Sequence, residues 1–178
     1  MEAPDEQLML AYRDGNVAAF ETLYLRHRGR LFRFVLRSVK SRATAEELFQ
    51  EIWMRVIEAR ERYAPQARFT TWLYTIAHHR MVDHWRRGGL SLVELDEQHD
   101  PPGDSPDPAR QLEAREALAR FAQALEALPA AQREAFLLHE EAGLSIAEIA
   151  AATGSNAEAA KSRLRYAVAK LKAAVEDD

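Results

Sequence analysis

The sequence predicts an all-α protein, two small helical domains joined by an acidic flexible linker. Three observations carry this. Ala, Leu, Arg and Glu dominate a chain of 178 residues that has only seven Gly and seven Pro, a mix that favours helices. Apolar residues recur at helical spacing in several separate stretches. Between two groups of such stretches lies GGLSLVELDEQHDPPGDSPDP, starting at Gly88, which is rich in Gly, Pro, Ser and Asp and too poor in spaced apolar residues to build a core. The expected boundaries are a first domain at 1–89, a linker at 90–108 and a second domain at 109–178.

In the first domain, Asp5 to Asp14 reads as a short helix stopped at Gly15, with Asn16 as the N-cap of a long successor. There Phe20, Leu23, Tyr24, His27, Leu31, Phe34 and Val35 keep helical spacing. A third helix is expected to open on a capping box, Thr44 with Glu47, and to run to about Arg60. Pro65 in ERYAPQAR breaks the pattern, and a fourth helix spans Phe69 to Arg87 and ends at Gly88-Gly89.

The second domain resumes at about Pro108 with Leu112, Leu118, Phe121, Leu125 and Leu128 on one spacing. Pro129 suits the first turn of the next helix, which holds Phe136 and Leu137 and ends near Gly143. Two further capping boxes, Ser145 with Glu148 and Ser155 with Glu158, flank Gly154 as a tight turn. Two helices about a glycine turn suggest a helix-turn-helix.

Composition excludes several functions. The chain has no cysteine, so disulfides and thiolate zinc sites are out, and a metal would need His, Asp or Glu. No apolar run approaches the ~20 residues that span a bilayer, and MEAPDEQ lacks the basic start of a signal peptide, so the protein is expected to be soluble and cytoplasmic. The net charge of −4 hides a gradient: Lys and Arg outnumber Asp and Glu 15 to 11 in residues 1–90, but are outnumbered 9 to 3 in 91–130 and 8 to 6 in 131–178.

The last helix has two unlike sides at about 100° per residue. Ala157, Ala160, Leu164, Ala167, Val168 and Leu171 cluster on one. Ala159, Ser162, Arg163 and Tyr166 stand opposite, with Lys161 and Arg165 at the edge. Arginine can meet a guanine edge bidentately, serine and tyrosine can bond bases or phosphates, and small Ala159 permits close approach, as a major-groove reader requires. The plain alternative is a solvated basic face, and Glu158 near its start would repel phosphate.

TWLYTIAHHRMVDHWRR, Thr71 to Arg87, invites a metal reading through His78, His79, His84 and Asp83. The wheel argues against it, because His78 and His79 diverge by about 100° and His79 and His84 by about 140°. His79 and Asp83 at i, i+4 could supply two ligands or a hydrogen-bonded pair, but His27, His99 and His139 are scattered, so no metal or cofactor is expected. The competing reading is a nucleic-acid surface. Tyr63, Phe69, Trp72, Tyr74 and Trp85 are interleaved with Arg62, Arg68, Arg80, Arg86 and Arg87; aromatic faces stack unpaired bases while arginines follow phosphates. Phe69 and Trp72 are expected in the core, and the APQAR loop could hold a flipped base.

The blocks AEELFQEIWMRVIEARERY, RFTTWLYTIAHHRMVDHWRR, LPAAQREAFLLHEEAGLSIAEIA and AAKSRLRYAVAKLK together resemble bacterial RNA polymerase sigma factors of the sigma-70 family, in the extracytoplasmic-function group. The resemblance covers roughly 150 residues in the family's order. It implies a region-2 domain, a linker and a region-4 domain that direct core polymerase, through its beta-prime and beta subunits, to promoter DNA, with no enzymatic activity. It implies that Glu47, Gln50, Glu51 and Trp53 meet the polymerase beta-prime coiled coil. It implies that Arg62, Tyr63, Gln66, Arg68, Trp72, His79, Asp83, Arg86 and Arg87 melt and read the minus-10 element. Ala159, Lys161, Ser162, Arg163, Arg165 and Tyr166 would read the minus-35 element, although AEAAKSR departs from the GTVKSR frequent in relatives. A dedicated anti-sigma protein is a further implied partner, and the acidic linker would rest in polymerase's positively lined channel. Two rival readings are a ligand-sensing helix-turn-helix regulator, which would bind duplex DNA without polymerase, and a metal-dependent enzyme built on the HHxxxDH residues.

Overall fold

The computed structural model describes residues 1–88 and 107–176. Of the linker expected at 90–108, residues 90–106, including His99, lie outside those residues, while Asp107 and Pro108 open the first helix of the second domain as its N-cap and first residue. The helices are α1 (Asp5–Arg13), α2 (Val17–Ser38), α3 (Arg42–Ala59) with a 3-10 turn at Arg60–Arg62, α4 (Phe69–Arg87), α5 (Pro108–Ala127), α6 (Ala130–Glu140), α7 (Ile146–Thr153) and α8 (Ala157–Glu176). Among the described residues there is no strand and no helix long and apolar enough to cross a membrane.

Local chemistry sets most helix ends. Gly15 takes φ 107°, a conformation that favours glycine, and delivers Asn16, whose side chain accepts from the Ala19 N–H at 3.2 Å to start α2. Ser145 and Glu148 form the expected capping box of α7. Gly154, left-handed at φ 66° and ψ 31°, ends it and turns the chain into α8.

Two expected caps are displaced. Ser41, not Thr44, caps α3, its hydroxyl accepting from the Thr44 N–H at 3.3 Å; Thr44 is already inside the helix. Asn156, not Ser155, serves α8, its side-chain oxygen accepting from the Ala159 N–H at 2.8 Å, while the Ser155 hydroxyl is 2.9 Å from that of Thr153. Helix α3 starts three residues before the point a Thr44 cap requires, and α8 one residue after the point a Ser155 cap requires, so neither expected residue falls at the N-cap.

Helices α1 to α4 surround Met9, Leu23, Leu31, Phe34, Ile52, Val56, Phe69, Leu73 and Met81, all buried. Helices α5 to α8 surround Leu125, Leu128, Leu137, Leu138, Leu144, Ile149, Ala160, Ala167 and Leu171, also buried. Each large side chain so buried contributes about 1.5–3 kcal/mol relative to exposure. On α8 the core stripe is Ala160, Ala167 and Leu171 with Leu164 half-buried, whereas Ala157 and Val168 are exposed. Val168 lies about 40° beyond Leu164, outside the edge of the stripe.

The two units touch. Helix α7 packs on α4 and α6 on α2, and the buried apolar residues of both units form one cluster. This places the helix-turn-helix beside the histidine-rich helix.

Candidate nucleic-acid interface

Helix α3 presents Glu47, Gln50, Glu51 and Met54 on one outward face by their i, i+3, i+4, i+7 spacing. Glu47 and Gln50 are exposed, while the Glu51 carboxylate accepts from the Arg80 guanidinium of α4. Trp53 is not on this surface. It is only 5% exposed and packs edge-on against Phe20 at 5.9 Å and Tyr24 at 5.1 Å from α2. Its place beside the core stripe of Ala45, Leu48, Ile52 and Val56 turns it inward. Met54, 53% exposed, is the apolar residue of the face that sequence reasoning missed; its spacing from Glu47 was the available signal.

The loop between Arg62 and Phe69 has a buried anchor and an exposed rim. Tyr63 is 2% exposed, packed against Trp72 at 5.0 Å and Phe69 at 6.5 Å. The expectation that it offers its ring to a base is corrected by that packing. Burial, with the nearby Glu6 and Asp5 carboxylates, pushes its phenol up to about 12. Arg62, Gln66 and Arg68 are exposed, and Trp72 is half-buried rather than a full core residue. Tyr74, grouped with the surface aromatics in the sequence reading, is buried and T-stacked on Phe34 at 5.5 Å.

Helix α4 begins without a cap from its own N-cap residue, Arg68. Glu6 of α1 supplies the acceptor, its carboxylate taking the Phe69 N–H at 2.8 Å. The neighbouring Asp5 holds His27 at 2.8 Å and Arg26 at 3.0 Å, so the first turn of α1 clamps both α2 and α4. Glu6 was not singled out from sequence, because a cap delivered 63 positions away leaves no local pattern.

Trp72, Ile76, His79 and Asp83 share one side of α4. His79 is exposed. Asp83 does not bond to it; Asp83 Oδ2 accepts from Arg55 of α3 at 3.1 Å, and that hydrogen bond, reinforced by the charges of Arg55, Arg87 and Arg80, holds its carboxyl below the usual range. Arg55 is therefore a second residue missed by sequence. Arg86 and Arg87 are exposed at the C-terminal end of the helix, where positive charge complements the helix dipole. His78 points elsewhere, to Glu134 of α6. His84 is half-buried, and burial together with the charge of Arg80 pushes its imidazole down. Among the described residues, no group of three or more His, Asp or Glu could hold a metal.

On α8, Lys161, Arg165 and Tyr166 are exposed, with the Arg165 guanidinium 5.4 Å from the Tyr166 ring centre. Ala159, Ser162 and Arg163 are half-buried. Glu158 is exposed in the first turn.

These features sit in a chain that comparison places firmly. The model of the family described as Sigma-70 region 2 matches residues 23–90, and that described as Sigma-70, region 4 matches residues 118–171. The chain is 35% identical to RNA polymerase sigma factor CarQ of Myxococcus xanthus, over 92% of this chain and 93% of that protein. It is 31% identical to the ECF RNA polymerase sigma factor RpoE of Cereibacter sphaeroides, over 93% of this chain and 91% of that one. Among solved structures it superposes on CnrH, determined in complex with the cytosolic domain of CnrY, with a TM-score of 0.72, 26% identity and 98% of each chain covered. It shares its fold with RpoE from Bartonella quintana at a TM-score of 0.73, 24% identity, and 89% and 98% coverage.

Two helical units of this kind define a transcription-initiation factor rather than an enzyme. The chain belongs to the sigma-70 family of RNA polymerase sigma factors, in its extracytoplasmic-function group.

Proposed function

We propose that this sigma factor docks core polymerase through Glu47, Gln50 and the exposed Met54 of α3, opens and reads the minus-10 element with the 62–68 loop and α4, and reads the minus-35 element with α8. On α4 the readers are Trp72, His79 and Asp83, with Arg86 and Arg87 holding phosphates. The observation that carries this reading is the exposed His79 beside Asp83, on a helix face bordered by half-buried Trp72 at one end and exposed Arg86 and Arg87 at the other. Such a face offers a stacking surface, hydrogen-bonding groups and cations along one line, which is what a single strand requires. Tyr63 supports it from beneath by fixing Trp72 rather than by touching DNA.

On α8, Lys161 and Arg165 neutralise phosphates, and Ser162 and Arg163 meet base edges over small Ala159. The solved structure of CnrH holds the cytosolic domain of CnrY, and that of Bartonella quintana RpoE the anti-sigma factor NepR, and such complexes support an anti-sigma partner here too. The protein would act in the cytoplasm, where polymerase is.

The test is to mix the purified chain with core polymerase and a promoter library and sequence the transcripts. Specific initiation is expected, and its minus-10 preference should change when His79 is replaced by alanine. Promoter-independent output, or sequence-specific duplex binding that needs no polymerase, would reject the proposal in favour of an ordinary helix-turn-helix regulator.

A further inference from the structure

The Sigma-70 region 2 match begins at residue 23, so α1 lies outside it, and none of the surfaces proposed for polymerase or DNA includes an α1 residue. Yet α1 holds, at both ends, the backbone of the loop proposed to part the strands. Arg13 Nη1 donates to the Tyr63 carbonyl at 3.3 Å, and the Glu6 carboxylate takes the Phe69 N–H at 2.8 Å. Between those ends the loop has little of its own. Among the described residues, the one backbone bond made within it runs from the Gln66 N–H to the Ala64 carbonyl at 2.8 Å.

Glu6 and Arg13 are seven positions apart in one helix, so they stand on one face, about 20° apart, with Cα atoms about 10 Å from each other. The six steps from Tyr63 to Phe69 could reach about 20 Å if extended. Ends held at a separation nearer the first figure oblige the chain between them to bow. At the bow it carries Ala64, Pro65, Gln66 and Ala67, all exposed.

The helix that sets this span is itself fixed. A helix as short as α1 would be marginal alone in water, but Met9 is fully buried, and Asp5 accepts from Arg26 at 3.0 Å and lies 2.8 Å from His27. The Tyr12 ring lies 4.7 Å from that of Phe20, with the Arg60 guanidinium 5.9 Å from its centre. The His27 ring lies 5.1 Å from that of Phe69. A shift of α1 would therefore pass to both ends of the loop.

We propose that α1 is the template of the minus-10 loop, and that Glu6 and Arg13 are positioning residues for strand opening and minus-10 preference although neither touches DNA. Hydrogen bonds to a base tolerate only a few tenths of an ångström, and a loop with one internal bond cannot keep that precision unaided. The inference rests on the sigma reading for what the loop does; the holding of the loop is measurable without polymerase.

Arg13→Met keeps the stem and removes the donor, whereas Arg13→Lys keeps a donor; Glu6→Ala removes the acceptor and Glu6→Gln keeps one. Because the chain has no cysteine, a spin label at Ala67→Cys reports the loop's mobility in the free, full chain. The label should loosen in Arg13→Met and Glu6→Ala and stay restrained in Arg13→Lys and Glu6→Gln. In unlabelled chains with core polymerase and a promoter library, at a temperature where unfolding curves show every variant folded, Arg13→Met and Glu6→Ala should lose about fivefold or more of the discrimination at a minus-10 position, the worth of one mismatched pair. They should also slow the fluorescence rise of a 2-aminopurine placed in that element. Minus-35 preference and polymerase affinity should match those of the unsubstituted chain, and the Lys and Gln variants should restore the minus-10 readouts. A label as restrained in Arg13→Met as in the unsubstituted chain overturns the template. A loosened label with unchanged minus-10 preference and opening rate overturns the positioning role, and so do equal losses at minus-10, minus-35 and polymerase binding, which mark a damaged fold. Failure of the unsubstituted chain to initiate refutes the sigma reading and the positioning role with it; a label that still loosens in Arg13→Met tells that failure from a failure of the template.

Discussion

Replacing Glu6 by alanine removes the acceptor of the Phe69 N–H, a 2.8 Å bond from α1 to the first residue of α4. The first four amides of a helix have no partner within it, and Arg68 offers no side-chain cap, so this carboxylate takes the place of an N-cap supplied from a distance. Loss of an N-cap costs about 0.5–2 kcal/mol, and loss of a negative charge beside a helix N-terminus about 0.3–1 kcal/mol. Together these give about 1–3 kcal/mol for Glu6→Ala, or ~2–12 °C in melting temperature for a chain of this size. Glu6→Gln keeps an acceptor and loses only the charge, so it should cost about 0.3–1 kcal/mol. Denaturant unfolding gives the global cost, and amide hydrogen exchange at Phe69 to Thr71 gives its location; those amides should lose protection first. Equal losses in the two variants, or unchanged exchange at Phe69 in Glu6→Ala, would refute the capping role.

Other outcomes follow from single contacts. Phe34→Ala should destabilise by about 3–5 kcal/mol, since Phe34 is fully buried; chemical unfolding measures this directly. Lys161→Ala should weaken promoter binding by the polymerase complex about equally across sequences and reduce the salt dependence by about one unit of slope, whereas Arg163→Ala should relax the minus-35 preference at one position. Burial raises the Glu148 carboxyl, but the hydrogen bonds from Ser145 and Thr71 and the charge of Arg68 outweigh that and leave it below its ordinary value of 4.5 when folded, so the unfolded state takes up the proton first. Its contribution is present in full above pH ~4.5 and is lost as pH falls through the lowered value. Folding stability measured by denaturant unfolding should therefore fall on acidification through that range, and Glu148→Gln should flatten that part of the response.

Sequence reasoning captured elements better than contacts. Helix α4 could be bounded at both ends because Pro65 interrupts the chain before it and Gly88 follows it. Asn16 and Gly154 were legible because each does its work within a few residues. The caps at Thr44 and Ser155 were misread for the same local reason: the S/T-x-x-E pattern is present, but Ser41 and Asn156 hold the N-cap positions and take other amides, those of Thr44 and Ala159. Contacts between distant segments left no such trace. Trp53 stands between Ile52 and Met54, of which one is buried and one exposed, and Tyr63 follows Glu61 and Arg62, so only the packing of α2 and α4 shows that both turn inward. Asp83 was matched to the histidine one turn away, whereas its partner, Arg55, is on another helix. The union of the two units depends on pairs such as Arg37 and Glu141, 104 positions apart, which no periodicity can announce.

The three tryptophans are sorted by environment into an optical instrument. Trp53 lies in a buried nest of Phe20, Tyr24 and Phe49, remote from solvent, and its emission should stay blue and constant while the first unit is folded. Trp72 and Trp85 are half-buried on α4, and Trp72 rests on the aromatic floor of Tyr63 and Phe69. A base stacked on that ring would quench it. The protein thus carries its own fluorophore at the place where a DNA strand would part, with an internal reference on the neighbouring helix α3.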